Sequence, residues 1–236
     1  MRFSILSLLA ILLSAQSYAS PSINCEEKLL RSVGKIYYNK HSTAETWHGT
    51  GFFVQSCLIV TNAHVVLGRE KMIVYSQVLS RIPEMEMKAV NEVNEEVRTH
   101  DLDFQLRTKN FTTSMREVLM INLYDDVAVL KVSPCSEGQT EVLSLYAGSE
   151  PPSEGVALLT AGFPSKNLEA DPVLRQCSIQ QMTASNILHD CDTAPGQSGS
   201  PLVLADTCHV VGVHKEGARG LKKAAYVEKL IRRIPN

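Results

Sequence analysis

The chain lacks the features that would assign it to a metal-bound, nucleic-acid-bound or membrane-spanning class. None of its six cysteines is paired as Cys-x-x-Cys and no His-x-His occurs, which removes the common zinc patterns. Charge of one sign is also missing: 23 basic and 25 acidic residues are interspersed and the net charge is −2. That balance excludes the one-sided basic footprint of a nucleic-acid binder and says nothing about substrate. Beyond residue 19 no apolar run approaches the about 20 residues needed to cross a bilayer. Helical periodicity is scarce, and no internal repeat or low-complexity tract is visible. Neither a cofactor nor a metal is implied.

What is present begins with a segment to be set aside. Arg2 gives a positive start, Ile5 to Leu13 form a mostly apolar core, and Ser17-Tyr18-Ala19 supplies the small-x-small pattern cut by signal peptidase. Residues 1–19 are therefore expected to be a signal peptide, leaving no stable membrane insertion after cleavage. The remainder is long enough for one large or two small cores. All six cysteines (Cys25, Cys57, Cys135, Cys177, Cys191 and Cys208) follow the cleavage site. An even number in an exported chain predicts three disulfides, among about fifteen possible pairings. The expected location is secreted or periplasmic.

Short strand-like runs dominate the mature chain: Ser32 to Tyr38, Gly51 to Val54, Leu58 to Thr61, Met72 to Tyr75, Val127 to Val132, Val156 to Ala161, Pro201 to Leu204 and His209 to His214. They are rich in branched and aromatic residues and bounded by turn formers, the pattern of a sandwich or barrel. Only Glu228 to Ile234 reads as helix, with Leu230, Ile231 and Ile234 on one face. The charge-dense stretch Glu84 to Asn110 is expected to form solvated hairpins. The polar stretch Ser136 to Thr140 is the best candidate linker, dividing the chain into residues 20–136 and 137–236.

Three segments carry chemistry. Leu58-Ile59-Val60-Thr61-Asn62-Ala63-His64-Val65-Val66 is a buried strand that ends on a histidine. Asp125-Asp126-Val127-Ala128-Val129-Leu130 is an acid heading an apolar strand. Gly196-Gln197-Ser198-Gly199-Ser200-Pro201 is a glycine-framed serine before another strand. Singly, each has a bland explanation as a packed histidine, a turn acid or a tight turn. Together, in the order His, Asp, Ser, they resemble the chymotrypsin-like serine peptidases. Thr61-Asn62-Ala63-His64, Gly162-Phe163-Pro164 and Asp192-Thr193-Ala194-Pro195 before the serine are similar to the bacterial branch containing the glutamyl endopeptidases.

The resemblance runs from about Val33 to Ile234 and is loose in the first half beyond His64. It implies an all-β chain of two six-stranded antiparallel β-barrels with a short C-terminal helix: His64 and Asp126 belong to the first barrel and Ser198 to the second. It also implies a serine endopeptidase acting on proteins or peptides, expected as a monomer. Ser198 would be the nucleophile, His64 its base, and Asp126 the acid that orients the imidazole. Asp126 is preferred to Asp125 because it directly precedes the Val-Ala-Val-Leu strand. The amides of Gly196 and Ser198 would form the oxyanion hole. Where trypsin-like enzymes carry an acid that pairs with a freed N-terminus, this chain has Gln197, so activity is expected without that switch.

For specificity, Thr193 and His214 match the positions that bind a substrate carboxylate in glutamyl endopeptidases, with hydrogen bonds and a protonated imidazole suiting an acidic side chain. Asp192 stands where trypsin places its pocket acid and would attract Arg or Lys if it faced inward. Gly217 would lie where substrate backbone adds as a strand. With the fold in hand, Cys177–Cys191 would brace a hairpin, antiparallel pairing suggests Cys25–Cys57, and Cys135–Cys208 resembles a family bridge. The competing set is Cys25–Cys135 with Cys57–Cys208. Rival functions are cleavage after Arg or Lys, an inactive peptide-binding barrel pair, and an esterase.

Overall fold

A computed structural model describes residues 24–40, 45–68, 71, 82–99, 102–164, 170–217 and 220–227. The expected signal segment, the strand Met72 to Tyr75 and the helix Glu228 to Ile234 lie outside the described residues.

Twelve strands form two closed antiparallel barrels. The first contains β1 (Val33–Lys40), β2 (Glu45–Gln55), β3 (Leu58–Thr61), β4 (Leu102–Arg107), β5 (Thr112–Asn122) and β6 (Val127–Ser133). The second contains β7 (Ala157–Gly162), β8 (Val173–Met182), β9 (Asn186–His189), β10 (Pro201–Leu204), β11 (Val210–Gly217) and β12 (Lys222–Tyr226). The closed order is β1-β2-β3-β6-β5-β4 in one and β7-β8-β9-β12-β11-β10 in the other, so the two barrels share one topology without a repeat in sequence.

The runs Leu58–Thr61, Val127–Leu130 and Pro201–Leu204 read as apolar without alternation because both of their faces are covered. Ile59, Ala128 and Leu130 point into the first barrel, and Leu202 and Leu204 into the second. The residues between them (Val60, Val127, Val129 and Val203) join Leu159, Ala161, Val213 and Ala225 in a third cluster linking the two barrels. β4 alternates buried and half-buried positions, as a strand covered on one side does. The seam between barrels is thus a second apolar core. It holds the strand ends that carry His64, Asp126 and the serine loop.

Three described helices are not legible in the sequence. α1 (Cys25–Ser32) is capped by Asn24, whose side chain accepts a hydrogen bond from Glu27 N at 2.8 Å, and it buries Leu29 in the seam. A short α2 (Ala63–Leu67) follows β3 directly. The expected hairpins of residues 84–110 are instead mostly a 17-residue helix, α3 (Ile82–Arg98), followed by β4. Met85, Ala89, Val93 and Val97 recur every fourth residue and pack against the first barrel's core. Asn94 clamps the helix to β5, donating to Val118 O at 3.1 Å and accepting from Val118 N at 2.7 Å. Most of the charge between these positions sits on the outer face, while Glu86 Oε1 accepts from Leu123 N at 3.0 Å.

Three disulfides are present: Cys25–Cys208, Cys57–Cys135 and Cys177–Cys191. Only the last agrees with the expected pairing, and neither alternative set supplied the other two. The cause is α1, which carries Cys25 away from the first barrel toward the β10–β11 turn, with a Cα–Cα distance of 5.4 Å to Cys208. Cys57 is then free to meet the chain leaving β6. β3 pairs with β6, and the β2–β3 turn is tied there by Val132 N to Cys57 O and Ser136 N to Ser56 O.

Candidate active site

His64 occupies the first turn after β3. Its main-chain N–H donates to Asp126 Oδ1 at 2.9 Å, and its Nδ1 lies 2.7 Å from Asp126 Oδ2. Both oxygens of one carboxylate are therefore used on one histidine. This sets Nδ1 as the protonated nitrogen and leaves Nε2 as the basic one. Asp126 closes the β5–β6 turn with φ 57°, a left-handed conformation that Asp tolerates better than most residues with a side chain. Asn62 secures it by donating from Nδ2 to Asp126 O at 2.8 Å. Asp125 turns the other way: it is buried, accepts from Asn122 Nδ2 at 2.9 Å, and receives no contact from His64. Near this pair is Lys215 on β11. Burial lowers its ammonium pKa, while Asp126 and Asp125 oppose that shift.

The serine loop is built by one buried glutamine and one threonine. Gln197 Oε1 accepts from Ala194 N at 2.7 Å, and its own N–H donates to Ala194 O at 3.1 Å. Ser200 N closes the turn on Gln197 O at 3.0 Å. From the first barrel, Thr50 N donates to Ser198 O at 2.8 Å and Thr50 Oγ1 to Gly196 O at 3.0 Å. The same Oγ1 accepts from Phe163 N at 3.1 Å. Gly199 has φ 90° and lies so close to Thr50 O that an added Cβ would sit 2.0 Å from it. Beside them, a Cβ on Gly49 would meet Val65 at 2.7 Å and Ser198 O at 3.3 Å, so the residue after His64 and the serine's carbonyl pack on one α-carbon.

Ser198 is half-buried, and its side chain makes no hydrogen bond among the described residues. The amides of Gly196 and Ser198 likewise donate to no group among them. Gly196 has φ 97° and packs against His48, whose Nε2 would be 2.8 Å from an added Cβ. His48 was not among the sequence-level candidates. Nothing but its proximity in the fold marks it.

The specificity candidates separate clearly. Asp192 is exposed to solvent. Thr193 is half-buried, and its Oγ1 is shut from solvent without a hydrogen-bond partner. His214 is 3 % exposed and is joined to the serine loop by Gly199 N to His214 O and His214 N to Ser200 O, both 2.8 Å. Its Nδ1 lies 3.2 Å from Nε2 of His189, another residue the sequence did not mark. His189 Nδ1 in turn accepts from Cys191 N at 3.3 Å. That last bond fixes the tautomers of both rings: His189 carries its proton on Nε2 and donates to His214 Nδ1, leaving His214 with a proton to donate from Nε2.

Burial drives the His214 pKa down to about 3, with His189, Lys222 and His64 pushing the same way. Burial also drives His189 down to about 4, with Asp190 opposing and Lys222 adding. The expected protonated imidazole is thus corrected: His214 is a neutral donor at neutral pH because it has almost no solvent and three cationic or protonatable neighbours. Gly217 ends β11, beyond the last rung that β11 makes with β10, and the Lys222 side chain lies across it. Cys177, His189 and Cys191 present ligand atoms within 4.8 Å of one another, but both sulfurs are committed to a disulfide, which leaves one donor and no metal site.

Solved structures of the same fold include the Rv3671c protease from M. tuberculosis in its active form, with a TM-score of 0.64 at 18% identity, covering 89% of this chain and 82% of that one. Deg5 matches with a TM-score of 0.61 at 17% identity, covering 88% and 89%. At such identities the likeness shows the two-barrel fold alone. No curated protein matches the chain in sequence. Residues 49–213, which span β2 to β11 and contain His64, Asp126 and Ser198, match the trypsin-like peptidase domain, and the chain therefore belongs to that family.

Proposed function

We propose that this chain is an exported serine endopeptidase that cleaves after Glu or Asp through an acyl-enzyme. The observation that carries the catalytic part is the two-point grip of Asp126 on His64, made across 62 residues of sequence, beside a serine loop tied to the same barrel through Thr50. Oδ1 caps the first turn of α2 through His64 N, while Oδ2 is left to orient the imidazole that general-base chemistry demands.

In the reaction, Ser198 Oγ attacks the scissile carbonyl carbon while its proton passes to His64 Nε2. The developing oxyanion takes hydrogen bonds from the amides of Gly196 and Ser198. As the C–N bond breaks, His64 returns the proton to the leaving amine, and Asp126 balances the transient imidazolium without being protonated. Water then repeats the sequence: its proton goes to His64, its oxygen attacks the acyl carbon, and the serine oxygen leaves and is reprotonated.

Buried Gln197 supports activity without N-terminal activation. Its Oε1 accepts from Ala194 N while Thr50 ties the loop to the first barrel, and no freed amine takes part in those bonds. The exposure of Asp192 leaves no buried acid to recruit Arg or Lys, and the neutral donors His214 Nε2 and Thr193 Oγ1 suit a carboxylate. The three disulfides fit export to an oxidising compartment.

The test is fluorophosphonate labelling of protein processed only at the signal site. Stoichiometric labelling lost in Ser198→Ala is expected. An inert wild type would leave a peptide-binding barrel pair as the better reading. A peptide library should show cleavage after Glu, and cleavage after Arg or Lys would overturn the specificity.

A further inference from the structure

The two histidines behind the pocket leave an electrostatic question. A carboxylate entering a nearly water-free site needs a compensating charge, since the desolvation cost of an uncompensated ion is several kcal/mol. His214 and His189 are neutral, and Thr193 offers only a hydroxyl. A cation already in place spares the cost of protonating a buried imidazole.

β12 supplies it. Lys222 pairs in register with Gly217 on one side and with His189 on the other, so it stands between the edge offered to substrate backbone and the inner histidine. It shares a strand face with Ala224, which points into the second barrel's core. Its stem and head fold back over Gly217: a Cβ on that glycine would lie 2.9 Å from Lys222 Cδ and 3.3 Å from its Nζ. The neighbouring Lys223 alternates to the other face and pairs with Glu216 at 3.0 Å, so the Glu216 carboxylate is directed away from this mouth. We infer that Lys222 is the specificity-determining cation of the substrate pocket, placing its ammonium beside Gly217 to meet the carboxylate of the residue before the scissile bond, while His214 Nε2 and Thr193 Oγ1 donate the neutral hydrogen bonds. Its charge also contributes to keeping both imidazoles unprotonated, which preserves the donor chain from Cys191 N through His189 to His214.

This inference rests on the peptidase reading for its substrate but can be tested apart from it. Matched peptides carrying Glu, Gln or Lys before the scissile bond are offered to wild type, Lys222→Met, Lys222→Arg and Lys222→Glu, and kcat/KM is measured. Wild type should favour Glu over Gln. Lys222→Met should lower Glu cleavage about 10- to 100-fold more than Gln cleavage, the range for losing one charge-assisted bond. Lys222→Arg should retain the preference, and Lys222→Glu should turn it toward Lys. In parallel, dissociation constants for the Glu and Gln peptides are measured on Ser198→Ala with and without Lys222→Met, so the pocket is read without catalysis. A Glu:Gln ratio unchanged by Lys222→Met in correctly folded protein overturns the inference, as does a wild type with no Glu preference in either assay. Failure of wild type to label with fluorophosphonate overturns the catalytic reading instead, and the binding ratio still decides the role of Lys222.

Discussion

Thr50→Val tests how the two barrels cooperate. Thr50 is fully buried, and its Oγ1 both donates to Gly196 O and accepts from Phe163 N, so one hydroxyl bridges β2, the serine loop and the end of β7. Valine has the same shape, so the change removes two hydrogen bonds and almost no volume. The Phe163 N–H is left buried without a partner, which costs about 1–3 kcal/mol, and the lost bond to Gly196 O adds about 1 kcal/mol. Thr50 N still holds Ser198 O, so the loop stays attached while the Gly196–Gln197 peptide, between the two amides proposed as the oxyanion hole, loses its anchor. A bias of about 1.4 kcal/mol toward a displaced peptide lowers the competent population tenfold. Urea unfolding should therefore show a loss of about 2–4 kcal/mol, and kcat/KM should fall at least tenfold in a form still fully folded at the assay temperature. Thr50→Ser, which keeps the hydroxyl, should recover most of the activity. If Thr50→Val retains wild-type kcat/KM despite the stability loss, the link between the barrel seam and the oxyanion site is refuted.

Two further predictions follow from the site. Asp126→Asn should lower kcat by about four orders of magnitude while Asp125→Asn changes it little, because only the Asp126 carboxylate touches His64; comparable losses in both would exclude this assignment. Acidification should destabilise the fold through the buried histidines. With folded pKa values of about 3 for His214 and about 4 for His189 against an ordinary 6.5, the unfolded chain binds more protons between these limits. Their contribution is complete above about pH 6.5 and is lost progressively toward pH 3, so thermal midpoints should fall over that window. His189→Gln should flatten that dependence, and an unchanged slope would show that these rings do not titrate as argued.

Strands whose two faces are both buried could be read from sequence with the bounds they have: Leu58–Thr61 and Pro201–Leu204 are unbroken apolar runs between turn residues. The half-exposed β4, β5, β8 and β12 gave no such signal, because one of their faces is polar and their partners are distant in sequence. α3 escaped because the charges on its outer face outnumber the apolar residues recurring every fourth position, and only the barrel wall shows which face matters.

The amino-acid sequence alone determined the order and flanks of His64, Asp126 and Ser198, the glycines around the serine and the two-barrel family, since each depends on short contiguous segments. Tertiary structure decided what depends on residues far apart in the chain. It redirected Cys25 to Cys208 through α1, chose the His64 partner from two adjacent aspartates, and turned Asp192 outward. It also removed water from His189 and His214, which makes them neutral, and set Lys222 over Gly217. Burial and cross-strand register are properties of the closed barrel, and no local segment carries them.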